Sequence, residues 1–270
     1  MASPGVSLTC TSHFHGIINL TFKMKEKKCI IEIATSDFLT TKSAVDGGAD
    51  RIELCANLAE GGTTPSYGTL IQCRESFTVS LYPIIRPRGG DFLYTNEEFA
   101  IMLHEVKLCK QLGYDGVVIG LLNSDGSIDV KRTSQLINAA YPLGVTFHRA
   151  FDRCNNPFEA LEQLIEIGCE RILTSGQQPS VTDGVELVAQ LNKLADERII
   201  IMPGSGVRKE NIKILAEKTS CVEFHSSLRG KESSKMEFVH REFKDSAESY
   251  SNNAISPDDV RALRNALSEN

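Results

Sequence analysis

Five residues able to move protons or hold anions fall at the ends of short apolar runs: Glu32, Glu53, Arg86, His148 and His225. Glu and His are the side chains that exchange protons near neutral pH, and arginine is the one whose fork matches carboxylate or phosphate. Glu32, Glu53 and His148 are therefore acid/base candidates. For any one of them alone, a satisfied internal ion pair is an equal reading. Together they are costly to bury without a role, which favours a common pocket.

Three loops add donors. Arg86-Pro87-Arg88-Gly89-Gly90-Asp91-Phe92 carries two guanidiniums and a glycine pair whose N–H groups can cradle an anion. Gly204-Ser205-Gly206 follows one apolar run, and Ser226-Ser227-Leu228-Arg229 follows His225 at the end of another. Arg86, Arg88, Gly204, Ser205, Gly206, His225 and Arg229 form the expected anion-binding set. A tight turn is the plain alternative for the two later glycines.

These residues need elements to position them. Eight apolar runs read as strands: 30–34, 51–55, 80–85, 116–120, 144–148, 171–174, 199–202 and 222–225. They alternate with longer segments of helical period, the pattern of a parallel sheet with crossover helices. Thr95 with Glu98 reads as a capping box, and Asn156-Pro157 and Ser256-Pro257 as helix starts. Gly48-Ala49-Asp50, Gly113-Tyr114-Asp115 and Gly168-Cys169-Glu170 repeat one corner, a glycine ending a helix and an acid before a strand. The first strand is not followed by a glycine-rich turn, so the expectation is a single α/β domain, a (β/α)8 TIM barrel, rather than an open nucleotide-binding sheet. Residues 1–28 read as a disordered tail, and 29–270 as the barrel, with 226–252 a polar loop or tail leading to a C-terminal helix.

Strand residues alternate faces. With Ile31, Ile33, Ile52, Leu54, Phe147 and Phe224 outward, the side chains of Glu32, Ala34, Glu53, Cys55, Arg86, His148, Glu223 and His225 turn into the barrel. The predicted pocket lies at the carboxyl ends of the strands, where barrel enzymes place their sites.

Bulk properties narrow the partners. A net charge of -6 gives no clustered basic surface for nucleic acid, and no long uncharged apolar run suits a membrane. Eight cysteines without a C-x-x-C pair read as reduced thiols of a cytosolic protein. Small molecules or ions remain as the expected partners.

The runs Gly48 to Cys55, Glu60 to Ser66, Ile85 to Phe92, Val145 to Asp152, Leu173 to Gly176 and Glu223 to His225 closely resemble the CutC copper-homeostasis family, in its animal branch. The resemblance spans roughly 32–238. It implies a barrel, a cytoplasmic or cytoplasmic and nuclear location, a homo-oligomer, and Cu(I) handling. It also implies a metal-binding cysteine pair, of which Cys55 matches one member while Ala34 stands at the other. Parity sets these positions about 5 Å apart on adjacent strands, and one remaining thiolate implies weak Cu(I) binding. The competing expectation is an enzyme of isomerase, lyase or hydrolase type, acting on a small anion.

Overall fold

The computed structural model describes residues 29–243 and 250–267; the expected tail at 1–28 lies outside them. Eight parallel strands alternate with helices: β1 (Ile30–Thr35), α1 (Phe38–Asp46), β2 (Arg51–Leu54), α2 (Tyr67–Ser76), β3 (Ser80–Pro83), α3 (Asn96–Gln111), β4 (Gly116–Ile119), α4 (Val130–Ala140), β5 (Gly144–Phe147), α5 (Pro157–Glu166), β6 (Arg171–Thr174), α6 (Val185–Ala195), β7 (Ile200–Pro203), α7 (Ile212–Thr219) and β8 (Glu223–Ser226). The strands pair in the orders β3-β2-β1-β8 and β4-β5-β6-β7. A parallel bridge from Ile84 to Val118 joins the two sets on one side, and β7 packs against β8 on the other. The result is the closed barrel that the alternation predicts.

Parity holds. Ile31, Ile33, Ile52, Leu54, Phe147 and Phe224 are fully buried in the layer between strands and helices, whereas Cys55, Tyr82, Ile84 and Val118 form a separate apolar cluster. Several strands are shorter than expected, so Cys55 and His148 lie just beyond the ends of β2 and β5, and Arg86 three residues past β3. The three repeated corners also hold: Gly48, Gly113 and Gly168 all have φ between 75° and 88°, a region open to glycine at little cost. In two of them the acid that follows accepts a backbone N–H of the preceding strand. Asp50 accepts the Ile31 N–H at 3.1 Å, and Asp115 accepts the Leu81 N–H at 2.9 Å, tying each corner to the strand before it.

Helix starts follow the capping signals. Thr95 and Glu98 form the reciprocal box, and Asn156 accepts from the N–H groups of Phe158 and Glu159. A helix, α8 (Pro257–Asn265), does begin after Ser256, although the Ser256 side chain makes no capping bond. The polar segment 226–252 differs from expectation. It carries β9 (Gly230–Ser233), which pairs antiparallel with β10 (Ser251–Ala254) at its end, the partners running from Gly230↔Ala254 to Ser251↔Ser233. The side chains of β9 are all exposed, so no apolar alternation marks it as a strand.

All seven described cysteines are unpaired thiols, and all but Cys29 are buried. Burial pushes the Cys73 and Cys154 thiols up to about 11, and those of Cys109, Cys169 and Cys221 to about 12.

Candidate functional site

The barrel interior carries two polar layers. The deeper one is closed on itself. Glu32 pairs with the Arg51 guanidinium, which also reaches Glu223 at 2.6 Å; Glu223 in turn accepts from Arg171 at 2.6 Å, and Arg171 extends to Glu170 and Thr146. Tyr82 lies beneath both guanidiniums, with its hydroxyl donating to Glu170 at 3.2 Å. Burial opposes ionisation of Glu32, yet Arg51, and after it His225, holds the carboxyl well below its ordinary value. Glu32 is therefore a fixed anion, a counter-charge rather than a proton carrier.

The upper layer borders a cavity of about 180 Å³ at the carboxyl ends of the strands. Glu53 and His225 line it, joined to the deeper layer through His225: Nδ1 lies 2.7 Å from Glu32 and Nε2 lies 3.7 Å from Glu53. Burial lowers the proton affinity of His225, but the Glu32 hydrogen bond and the charges of Glu53 and Glu32 outweigh it and raise the value. Glu53 is also raised, chiefly by burial, with the Glu32 charge adding to it against His225. It is the one acidic residue lining the cavity among the described residues, so the two expected carboxylates have separate environments.

His148 lies across the same cavity. Its Nδ1 accepts the Ala150 N–H at 3.0 Å, and its ring meets Phe92 at a centroid distance of 4.9 Å. Burial first, and then the Arg86 charge, drives it down to about 3, so the imidazole is neutral. Arg86 is 3% exposed and donates to the carbonyls of Glu60, Gly62 and Gly90 at 2.7–2.9 Å. Phe92 lies under its guanidinium at 5.0 Å. Among the described residues no carboxylate forms a salt bridge with Arg86.

The other expected anion ligands divide. Ser205, Gly206 and Arg229 line the cavity; Gly204 and Arg88 do not. A Cβ on Gly204 would come within 2.4 Å of a Leu173 methyl, so this glycine serves close packing. Arg88 is committed to Glu98 at 2.6 Å and Asp91 at 3.0 Å, with Tyr94 against its guanidinium. Ser205 has a positive φ of 71° and donates its hydroxyl to the Pro179 carbonyl at 2.8 Å.

Two further arginines line the cavity that sequence reasoning did not select. Arg149 is held by Asp152 at 2.7 Å and by Ser175. Arg208 donates to the Val207 carbonyl and the Ser226 hydroxyl, and neither it nor Arg229 is in a salt bridge among the described residues. Arg149 directly follows His148, and Arg208 lies two residues past Gly206. A loop-by-loop search for cations around the expected mouth would have found both.

The cysteine position differs from the sequence geometry. Ala34 pairs in register with Glu53, and Cys55 lies two residues farther along, giving its N–H to the Thr35 carbonyl. Ala34 lines the cavity and Cys55 does not. The Cys55 thiol packs within the Tyr82, Ile84 and Val118 cluster, and burial, with the Glu53 charge, pushes it well above its ordinary value. Among the described residues no three His, Cys, Asp or Glu side chains converge as a metal-holding group.

Comparison with known proteins gives a consistent family. The model of the CutC family matches residues 29–230. A family protein CutC of Parabacteroides distasonis is 54% identical over 213 residues, covering 78% of this chain and 87% of that protein. The crystal structure of a protein of Streptococcus agalactiae, provisionally named copper homeostasis protein CutC, superposes with a TM-score of 0.70 at 33% identity, over 74% of this chain and 98% of its own. These family relatives are bacterial, and the animal placement drawn from the motifs has no support in them. A phosphoribosylanthranilate isomerase structure from Thermotoga maritima superposes with a TM-score of 0.55 at 9% identity, over 89% of this chain and 98% of its own, a likeness of fold alone.

Proposed function

The chain belongs to the CutC family, and on that premise we propose that its barrel mouth binds a small anionic molecule and acts on it by acid–base chemistry. One observation carries the reading: Arg86 is buried at the cavity without a carboxylate partner among the described residues. An uncompensated buried guanidinium costs several kcal/mol, roughly 3–5 where a partner has been removed. A ligand's negative charge supplies that partner. Among the described residues, Arg208 and Arg229 add two more cations without a salt bridge at the rim, against the single acid Glu53.

Glu53 then stands as the acid/base group, with His225 3.7 Å behind it and the Glu32 anion holding His225 in place through Nδ1. The chemistry is of isomerase, lyase or hydrolase type, because these need a positioned acid and base more than a large surface. The test is a thermal-shift titration with inorganic phosphate. Phosphate should raise the melting temperature, since a ligand that prefers the native state stabilises it, and Arg208→Ala should reduce the shift. No shift with phosphate, or an equal shift in Arg208→Ala with Arg229→Ala, sinks the reading.

Cu(I) handling is a second reading, supported by the name of the S. agalactiae relative and by Cys55 beside the Glu53 wall. With Ala34 in place of a second thiol on the neighbouring strand, in register with Glu53 rather than with Cys55, one thiol is available there, so binding is weak and depends on Cys55. Competition against a colorimetric Cu(I) chelator should show affinity that disappears in Cys55→Ala and rises in Ala34→Cys. Tight binding that survives Cys55→Ala places the copper elsewhere. A homo-oligomer in the cytoplasm, or cytoplasm and nucleus, belongs to the same proposal; the unpaired thiols support a reducing compartment.

A further inference from the structure

The tautomer of His148 is set by its backbone neighbour. The Ala150 N–H points at Nδ1, which must accept, so the ring proton sits on Nε2. That Nε2 is buried and finds no hydrogen-bond partner. The ring cannot turn away to relieve it. A Cβ on Gly120 would lie 2.3 Å from both Nδ1 and Cε1, showing how closely the ring is seated, and Phe92 packs against it. A buried N–H without an acceptor costs about 1–3 kcal/mol, and the residue that carries it lines the cavity at the barrel mouth.

We infer that the molecule bound at the mouth is a carbonyl compound bearing an anionic group, and that His148 Nε2–H binds its carbonyl oxygen. This rests on the anion reading above, with the anionic group held by Arg86 together with Arg208 and Arg229 of the same cavity. A carbonyl oxygen is an acceptor without a proton, and it gains negative charge when the adjacent carbon loses a proton or is attacked. A fixed neutral N–H donor stabilises that charge without giving its own proton away. The same pattern, a neutral histidine polarising a carbonyl, is known in triosephosphate isomerase. Burial, and after it the Arg86 charge, reinforces this by keeping the imidazole uncharged.

The probes are inorganic phosphate and phosphoglycolohydroxamate, which joins a phosphate to an enolate-like oxygen. Calorimetric titration of the full chain should show the hydroxamate binding about tenfold or more tightly than phosphate, the worth of one well-formed hydrogen bond. His148→Ala should lose that surplus and keep the phosphate affinity. His148→Gln, which retains an N–H near the position of Nε2, should keep part of it. In the unsubstituted protein, ¹⁵N NMR should show the Nε2–H tautomer, with its proton moving downfield when the hydroxamate is added, a readout independent of how the variants fold. Phosphate binding without a hydroxamate surplus, a surplus that survives His148→Ala, or an unmoved Nε2 proton overturns this inference alone. Failure of both probes to bind overturns the anion reading and this inference with it.

Discussion

The two polar layers of the barrel use the same residue types to opposite ends. In the deeper layer, Arg51 and Arg171 share Glu223, and Glu32 and Glu170 complete the pairing, so each charge has a partner in contact. In the upper layer, Arg86 rests on carbonyl oxygens, Arg208 and Arg229 have no salt bridge among the described residues, and His148 leaves a donor unmet. Burial alone does not separate a structural charge from a working one, since Arg51 and Arg86 are both buried. Compensation does. A closed network stabilises the fold it sits in, whereas an open one keeps interaction energy in reserve for a ligand.

The largest test of that contrast is Glu223→Ala. Removing the carboxylate that two buried guanidiniums share should destabilise the protein by about 3–5 kcal/mol in urea unfolding. A loss below about 1 kcal/mol would mean that the deeper layer is not the closed network described, and the contrast would break.

The next test is pH. His148 is held at about 3 against an ordinary 6.5, so between those values the unfolded chain takes up a proton that the native chain refuses. Stability therefore falls as pH drops below 6.5, by about 1.4 kcal/mol per unit from this group. Glu32, held below its ordinary 4.5, adds a further loss under that pH. His225 runs the other way: raised above 6.5, it contributes fully below that pH and loses its contribution as pH rises through the raised value. Glu53 behaves likewise above 4.5. Urea unfolding across pH should thus show a loss toward acid from His148 and a loss as pH rises through the raised His225 value, with the slope between 6.5 and 5 flattened in His148→Gln. An unchanged slope in that variant would remove His148 from the account.

The smallest effect sharpens the boundary of the upper layer. Arg88 is already paired with Glu98 and Asp91, so Arg88→Ala should cost under about 1 kcal/mol and leave phosphate affinity unchanged. A phosphate loss equal to that of Arg208→Ala would return Arg88 to the anion site.

Much of this architecture is legible in the chain. Strand parity alone turned Glu32, Glu53, Arg86, His148, Glu223 and His225 inward, because a period of two leaves only two faces to choose from. The same parity could not rank them, since compensation depends on which strands are neighbours and in what register. Glu32 lost its acid/base role to Arg51, a residue on the next strand that shares its register position. Cys55 was set beside position 34 for the same lack of register, when Glu53 holds that place. Glycines misled in another way: Gly204 and Gly206 look alike in sequence, but Gly204 is required by a Leu173 methyl and Gly206 by a φ of 91°. The hairpin of β9 and β10 was missed because its exposed polar residues carry no hydrophobic pattern.

The buried thiols give the fold a chemical clock. Cys73, Cys109, Cys154, Cys169 and Cys221 are shut away from solvent and held as protonated sulfhydryls far above their ordinary value. A disulfide-exchange reagent reacts with thiolate, so in the native barrel these five sites are slow partners. Opening the barrel returns them to ordinary acidity at the same moment. Their labelling rate then measures how often the whole domain opens, and an oxidising environment would convert each opening into covalent damage rather than a return to the native state.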